Sequence, residues 1–482
     1  MLSVSNQGRD YEVAVVGAGP AGLFAALSCV AAGIEDILLV DAGPDVGDRR
    51  RASGLSREVG WGHPDYERGV GGAGLFSDGK LCLSLDVGGH LEQSLGKDAR
   101  ARLLGQIEGV FRRLLPGPFA KRSGQGEDLN RWRRSAASAG LNFKHYPVAH
   151  IGTDRCGDII VGLRSLLESA GVAIHSRTEL LDLCVERKGR KRVELSRDGE
   201  SWNVSARQVV LAMGKVGARR QAELCRQLGS AIESQPIYVG VRFETDAKAL
   251  KPLFEITKDP KYSVTLTDGS RVKTHCASEQ GEVIPLSYGG LPLAGGHNYF
   301  DAATARSGFS ILWDGLDHGG NSYRAAERIM RQAQDRGAGH LVTQRLVDYA
   351  AGRPSRGEDL NGLGLTCPSV AAGDLRKILP PQFFAAMDEL LTRMGRLVPG
   401  LVDEGSVAYA PAIEWWMERI DVDERFQMRT APGVAACGDG SGWSQGIVHA
   451  AATGLLAASG LHEKDVDVAQ WLNDSERQTI CT

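Results

Sequence analysis

Tyr11-Glu-Val-Ala-Val-Val16, then Gly17-Ala-Gly19-Pro20-Ala21-Gly22, then the apolar run Leu23 to Ala32, then Ile37-Leu-Leu-Val40 ending at Asp41 and Ala42: this stretch decides the fold. The first six residues are short, β-branched and bounded by glycine, the pattern of a buried parallel strand. A helix follows the glycines, and a second apolar strand closes on an acid. Each piece has a physical task. Gly17 permits the tight turn, Gly19 lets backbone N–H groups approach a pyrophosphate, and Gly22 lets the helix lie close to the strand. Pro20 and Ala21 open a helix whose unsatisfied N–H groups and positive dipole end suit a diphosphate. Asp41 is placed to accept hydrogen bonds from both hydroxyls of a ribose. The expected class is α/β, with a Rossmann-like dinucleotide-binding domain; the motif alone does not distinguish dinucleotides that share an ADP half.

Gly69-Val-Gly71-Gly72-Ala73-Gly74 repeats the glycine spacing but lacks the context. It follows the polar run Asp65 to Arg68 and leads into Leu75-Phe-Ser-Asp-Gly-Lys80 rather than a helix, so it is not a second Rossmann turn. The remaining chain offers no other, which argues against a separate NAD(P)H domain. Net charge is −3 over 482 residues, so nothing points to nucleic acid or an anionic membrane. The basic runs Arg49-Arg50-Arg51 and Arg187 to Arg192 read as solvated loops. Nine cysteines without a Cys-x-x-Cys pair argue against a metal or iron–sulfur site and fit a reducing compartment. Met1 to Asp10 has no secretory pattern and no segment nears the roughly 20 apolar residues of a membrane span, so a cytoplasmic location is expected.

Near the other end, Gly433-Val-Ala-Ala-Cys437 is strand-like and precedes Gly438-Asp439-Gly440; after a small-residue loop, Gln445, Gly446 and Ile447 open a helix reaching Ala458. This resembles the Gly-Asp motif of flavoproteins with the glutathione-reductase-type FAD fold. The resemblance implies that Asp439 accepts a hydrogen bond from a ribityl hydroxyl. It also implies that the helix directs its positive end at the flavin pyrimidine ring. Val209-Val-Leu-Ala212-Met-Gly214 resembles the segment that crosses near the cofactor in that fold. Leu180 to Arg207 reads as a β-meander, with Leu180 or Leu181 near the adenine.

Gly71-Gly-Ala-Gly-Leu-Phe-Ser-Asp-Gly-Lys-Leu81, His150-Ile-Gly-Thr-Asp154, Gly240-Val-Arg-Phe-Glu244 and Thr366-Cys-Pro-Ser369 occur in one order. Together they resemble the signature of a family of largely uncharacterised bacterial FAD-dependent dehydrogenases. Two stretches depart from it, Cys276-Ala-Ser-Glu-Gln-Gly-Glu-Val283 and Glu414-Trp415-Trp416. Both fall where a second domain should face the flavin, so the substrate site is read as altered. The expected organisation is a discontinuous FAD domain over 8–48, 148–230 and 400–465. An insertion, 49–147, carries the glycine loop, and a mixed α+β substrate domain spans 231–399.

The resemblance implies FAD as cofactor and a small-molecule substrate. Gly71, Gly72, Ala73 and Gly74 are expected against the flavin, since glycine surfaces admit a flat ring. The candidates for catalysis are Lys80, as a positive charge near the flavin or a substrate carboxylate, and His275 or Glu414 as a base. Arg242 is a candidate carboxylate clamp. Tyr288, His297, Arg306, Trp415 and Trp416 are secondary candidates, as are Ser441 and His449 at the final helix. His63 is a conceivable point of covalent flavin attachment. Three functions compete: a dehydrogenase or oxidase whose flavin passes electrons to oxygen or another acceptor, an NAD(P)H-dependent reductase or single-component monooxygenase, and a non-catalytic binding protein on the same fold.

Overall fold

The computed structural model describes residues 8–55, 68–115, 121–122, 126–464 and 466–480. His63 lies outside them. In chain order the elements that position the site begin with β1 (Asp10–Val16), α1 (Pro20–Ala31), β2 (Ile37–Val40) and α2 (Val46–Leu55). β3 (Ala173–His175), β4 (Glu179–Val185), β5 (Lys191–Arg197), β6 (Glu200–Leu211) and α3 (Gly214–Gln227) follow. The second half holds β7 (Ile237–Asp246), β8 (Arg271–Ser278), β9 (Arg306–Trp313) and β10 (Val407–Trp415), and then β11 (Val434–Ala436) and α4 (Ile447–His462).

The first sheet runs β3-β2-β1-β6-β11, all parallel, with β5 and β4 continuing antiparallel from the first half of β6. One edge of β6 therefore serves two partners in turn, Glu200–Ala206 closing the meander with β5 and Val209–Leu211 pairing with β11, while β1 pairs with its Ser205–Leu211 part along the other edge. The parallel strands are apolar on both faces because both faces are covered. α1 and α4 are apolar all round for the same reason. They meet backbone to backbone, since a Cβ on Gly454 would stand 2.0 Å from the Ala21 carbonyl oxygen.

The second sheet is mostly antiparallel. Its order is Val370–Ala372, Leu341–Arg345, β10, β7, β9, β8, Lys261–Thr265, Asn142–Lys144. This corrects two expected boundaries. Residues 407–415, assigned above to the first domain, form β10 between β7 and Leu341–Arg345. Asn142–Lys144, assigned to the insertion, is an edge strand of the same sheet. A break read from local composition does not show which sheet a strand joins, because that depends on a partner more than a hundred residues away. Among the described residues, no helix is long and apolar enough to cross a membrane.

The basic run at Arg49 is also corrected. Arg49 lies on α2, is 2% exposed, and donates to the carbonyls of Gly69, Val70 and Gly72. It is a buried clasp on the glycine loop. In the other basic run, Lys191 is buried as well and donates to the Arg207 carbonyl.

Candidate active site

Four glycine-rich pieces converge at the carboxyl ends of the parallel strands, where ligands bind in open α/β sheets. Gly17 has φ +103°, and a Cβ there would lie 2.1 Å from the Ala212 carbonyl oxygen. The β1–α1 turn thus rests directly on the end of β6. Gly22 faces the turn itself, with a hypothetical Cβ only 1.8 Å from the Gly17 carbonyl oxygen. Gly72 abuts Gly19, and Gly74 lies between Pro20 and Ile447, so the loop fastened by Arg49 sits between the N-termini of α1 and α4. It forms a single 3-10 turn, Gly72–Phe76, too short to act as a crossover helix. Gly438 completes the ring against Ala21.

A cavity of about 1080 Å³ opens from this junction. Neither α1 nor α4 has a side-chain cap at its N-terminus, where the N-caps are Gly19 and Gly446. Pro20, Ala21, Ala42, Ala73, Gly214 and Ile447 line the wall. So do Gly17, Gly19, Asp41, Gly72, Gly74, Ala212, Gly438, Asp439, Gln445 and Gly446, together with Leu180. Two expected contacts are not on that wall. Gly22 packs helix against strand, as its spacing implied, and a Cβ on Gly71 would meet Ile160 instead. Both glycines are structural.

Asp41 is also more occupied than expected. It accepts from the backbone N–H groups of Ala18, Gly43 and Gly69, at 2.8, 2.9 and 2.8 Å. A carboxylate has about four acceptor positions, so room remains for about one sugar hydroxyl rather than two. Burial raises its pKa, and those same N–H groups pull the other way. Asp439 keeps more capacity: it accepts from Ser444 at 2.7 Å and from the Gly446 N–H at 3.4 Å.

The far half of the cavity is floored by one face of the second sheet. Alternation along β8 puts Arg271, Lys273 and His275 on this face, joined by Tyr238 and Arg242 of β7 and Glu414 of β10. Glu414 is the hub: Lys273 Nζ lies 2.6 Å and His275 Nδ1 3.3 Å from its Oε2. Burial alone would raise the Glu414 pKa, but His275 and Lys273 outweigh it and hold the carboxyl well below the usual range. Burial pushes His275 down to about 3, against the pull of Glu414, so the imidazole is neutral at pH 7. Its side chain remains 32% exposed, toward the cavity it lines.

Lys80 lines the cavity but is fully engaged, with Asp78 at 2.9 Å and Asp259 at 3.3 Å. Burial alone would lower its pKa; Asp259 and Asp78 reverse that and keep it an ammonium. Asp259 also receives Lys261 at 3.2 Å and the Tyr146 hydroxyl. Arg242, 1% exposed, donates to the Cys276 carbonyl at 2.7 Å and to Ser278 Oγ at 2.5 Å. These use two of its five N–H groups; no carboxylate lies within 4.0 Å of it among the described residues, and Nε has no partner.

Most secondary candidates fall elsewhere. Trp415 is core, packed between Tyr288 and Tyr323 with ring centroids 4.8 Å away in each case. Arg306 binds the Gly405 carbonyl beside Glu244, and His297 meets the Phe76 carbonyl at 2.9 Å. Ser441 donates to the Gly438 carbonyl at 2.7 Å. Trp416 does line the cavity, its ring tilted against that of His90 with centroids 4.6 Å apart. Lys273, Lys261, Asp259 and Arg271 were missed from sequence. The signal was present in Arg271-Val-Lys-Thr-His275, where three basic residues alternate with two short ones that are buried.

The fold and cavity define a dinucleotide-binding α/β class. The family model described as FAD dependent oxidoreductase matches residues 12–359, and the chain belongs to that family. It is an FAD-dependent oxidoreductase, and the cradle above suits the cofactor: two uncapped helix ends for negative charge, a carboxylate for a sugar-alcohol chain, and a glycine wall. Among solved structures it is similar to NikD, an unusual amino acid oxidase essential for nikkomycin biosynthesis, at 13% identity, with 94% of each chain covered and a TM-score of 0.40. Glycine oxidase from Geobacillus kaustophilus gives 15% identity, 95% and 96% coverage and a TM-score of 0.38. The 3-ketosteroid dehydrogenase from Rhodococcus jostii gives 13%, 96% and 99%, and 0.39. No curated protein sequence matches the chain.

Asp439→Ala should weaken FAD binding by roughly 10- to 100-fold, the value of one hydrogen bond to a charged group. Titration of apo protein followed by flavin fluorescence measures it, and an unchanged Kd would remove Asp439 from the cofactor site.

Proposed function

We propose that the protein is a dehydrogenase or oxidase that removes a hydride equivalent from a small organic substrate held on the face of the second sheet. Oxygen or another acceptor then takes the electrons. The observation that carries this reading is the single cavity running from the cofactor cradle to the Glu414–His275–Lys273 cluster. Bound FAD supplies the hydride acceptor. His275 is neutral at pH 7 and takes the substrate proton, while the Glu414 carboxylate, 3.3 Å from Nδ1, stabilises the imidazolium that forms. Arg242 holds an anionic group of the substrate with its unused N–H groups. Lys80, locked between two carboxylates, organises the wall rather than touching the reacting atoms. The Gly71–Leu81 stretch supports placement with the bacterial dehydrogenases that share it, and the departures at Cys276–Val283 and Glu414–Trp416 support a substrate of its own.

An anaerobic screen tests the reading. Bleaching of the flavin by an organic metabolite, and not by NADH or NADPH alone, is the expected result; bleaching by a nicotinamide alone would replace it with the reductase or monooxygenase alternative. His275→Ala is expected to slow the reductive half-reaction by about 10²–10⁴-fold. Because the His275 pKa is held near 3, a base in this position is already unprotonated across roughly pH 5 to 8, so the native rate should be flat there. A fall below pH 6.5 in stopped-flow data would assign the base elsewhere.

A further inference from the structure

We infer that His449 donates a hydrogen bond to the isoalloxazine ring of bound FAD and helps set its reduction potential. His449 lies in the first turn of α4, on the cavity wall, and is 2% exposed. Neither ring nitrogen has a hydrogen-bond partner among the described residues. The ring is held in place by shape: a Cβ on Gly89 would come within 2.3 Å of His449 Nδ1, so that loop position must be glycine for the imidazole to fit. The same loop is tied to the helix entrance by the Gln445 N–H to Gly88 carbonyl bond and by the Gly89–Ser444 bridge. Gln445 Nε2, beside it, is a second buried donor without a partner.

Buried polar groups are nearly always paired, and each exception calls for an account. Here two unpaired side chains flank an uncapped helix N-terminus and line one cavity, so a ligand in that cavity is their common partner. Burial pushes the His449 pKa down to about 3, with His90 adding to the effect. The imidazole is therefore neutral, offering one N–H donor and one acceptor. A donor and a helix N-terminus aimed at the ring favour the reduced cofactor, which carries the extra negative charge. Removing the donor should lower the potential.

This inference rests on FAD occupying the cavity. The test is the midpoint potential, visible spectrum and FAD affinity of His449→Leu and His449→Gln beside Asp439→Ala, all in the full chain. His449→Leu is expected to lose roughly tenfold in preference for reduced over oxidised FAD, about 30 mV more negative for a two-electron couple. His449→Gln, which keeps a donor, should recover part of that shift. A potential and spectrum unchanged in His449→Leu, with Asp439→Ala weakened, overturns the inference and leaves the cofactor site standing. Native protein that takes up no FAD removes both. Should His449→Leu fail to fold, FAD titrated into native apo protein labelled with 15N-histidine decides. The ring resonance missing in His449→Gln must move on binding, and a stationary resonance overturns the inference.

Discussion

Gly22→Ala is expected to give a protein that purifies without flavin and unfolds at markedly lower temperature. One methyl group would place a carbon 1.8 Å from the Gly17 carbonyl oxygen and 3.3 Å from the Val15 side chain. The carbonyl is backbone, so the turn itself must move. Gly17 is in turn pressed on Ala212 and holds the φ of +103° that only glycine adopts easily. Displacing it separates the β1–α1 turn from β6 and tilts α1, which lies so close to α4 that no side chain fits at Gly454. Overpacking of this kind costs about 1–3 kcal/mol in an adaptable core. Here backbone opposes backbone, and a loss of more than about 3 kcal/mol is expected, a large share of a typical 5–15 kcal/mol stability. Calorimetry and the 450 nm absorbance of the purified variant measure the two effects. A yellow variant with native melting would refute the proposed packing.

Lys80→Met is expected to destabilise by about 3–5 kcal/mol at pH 7, the penalty for leaving the buried Asp78 carboxylate without its cation and Asp259 with Lys261 alone. Asp259 is 4% and Asp78 13% exposed at the side chain, so water screens little of it. Burial alone would raise both carboxyl pKa values. At Asp259, Lys261 and Lys80 reverse that; at Asp78, Lys80 does, and both groups end below their ordinary value of 3.8. Depressed carboxyl pKa values stabilise the fold above the unfolded value, near pH 4, and that contribution is lost as pH falls through the folded values. The deficit of Lys80→Met against native protein should therefore be largest at neutral pH. It should shrink as pH approaches 4, where Asp78, left without a cation, protonates and no longer needs one. Urea unfolding at several pH values gives the comparison. A deficit that does not change with pH would mean that Lys80 acts by packing alone.

The cofactor half was legible because its signals are local. Gly17, Gly19, Gly22 and Asp41 lie within one βαβ unit, and Gly438, Asp439 and Gly446 within one strand–loop–helix, so spacing reports geometry directly. Even there, tertiary detail changed assignments. Gly71 proved to face Ile160, and Asp41 proved to be mostly engaged by amides of its own and a distant loop. Arg49 looked like part of a solvated run because its partners, the carbonyls of Gly69, Val70 and Gly72, lie some twenty residues on. The substrate half was legible only in fragments. His275 and Glu414 were found as isolated residues, while Lys273, Lys261 and Asp259 were not.

By itself, then, the sequence determined a parallel α/β cofactor domain, the residues of its turns and helix starts, and the FAD-dependent class. The tertiary structure alone decided that β10 belongs to the second sheet, and that Glu414 consequently meets Lys273 and His275 beside the cofactor cavity. The reason is the range of the forces. Turn sterics and helix periodicity act between residues a few places apart and leave a written pattern. The partner that neutralises a buried charge is chosen by strand pairing across more than a hundred residues, and no local spacing records that choice.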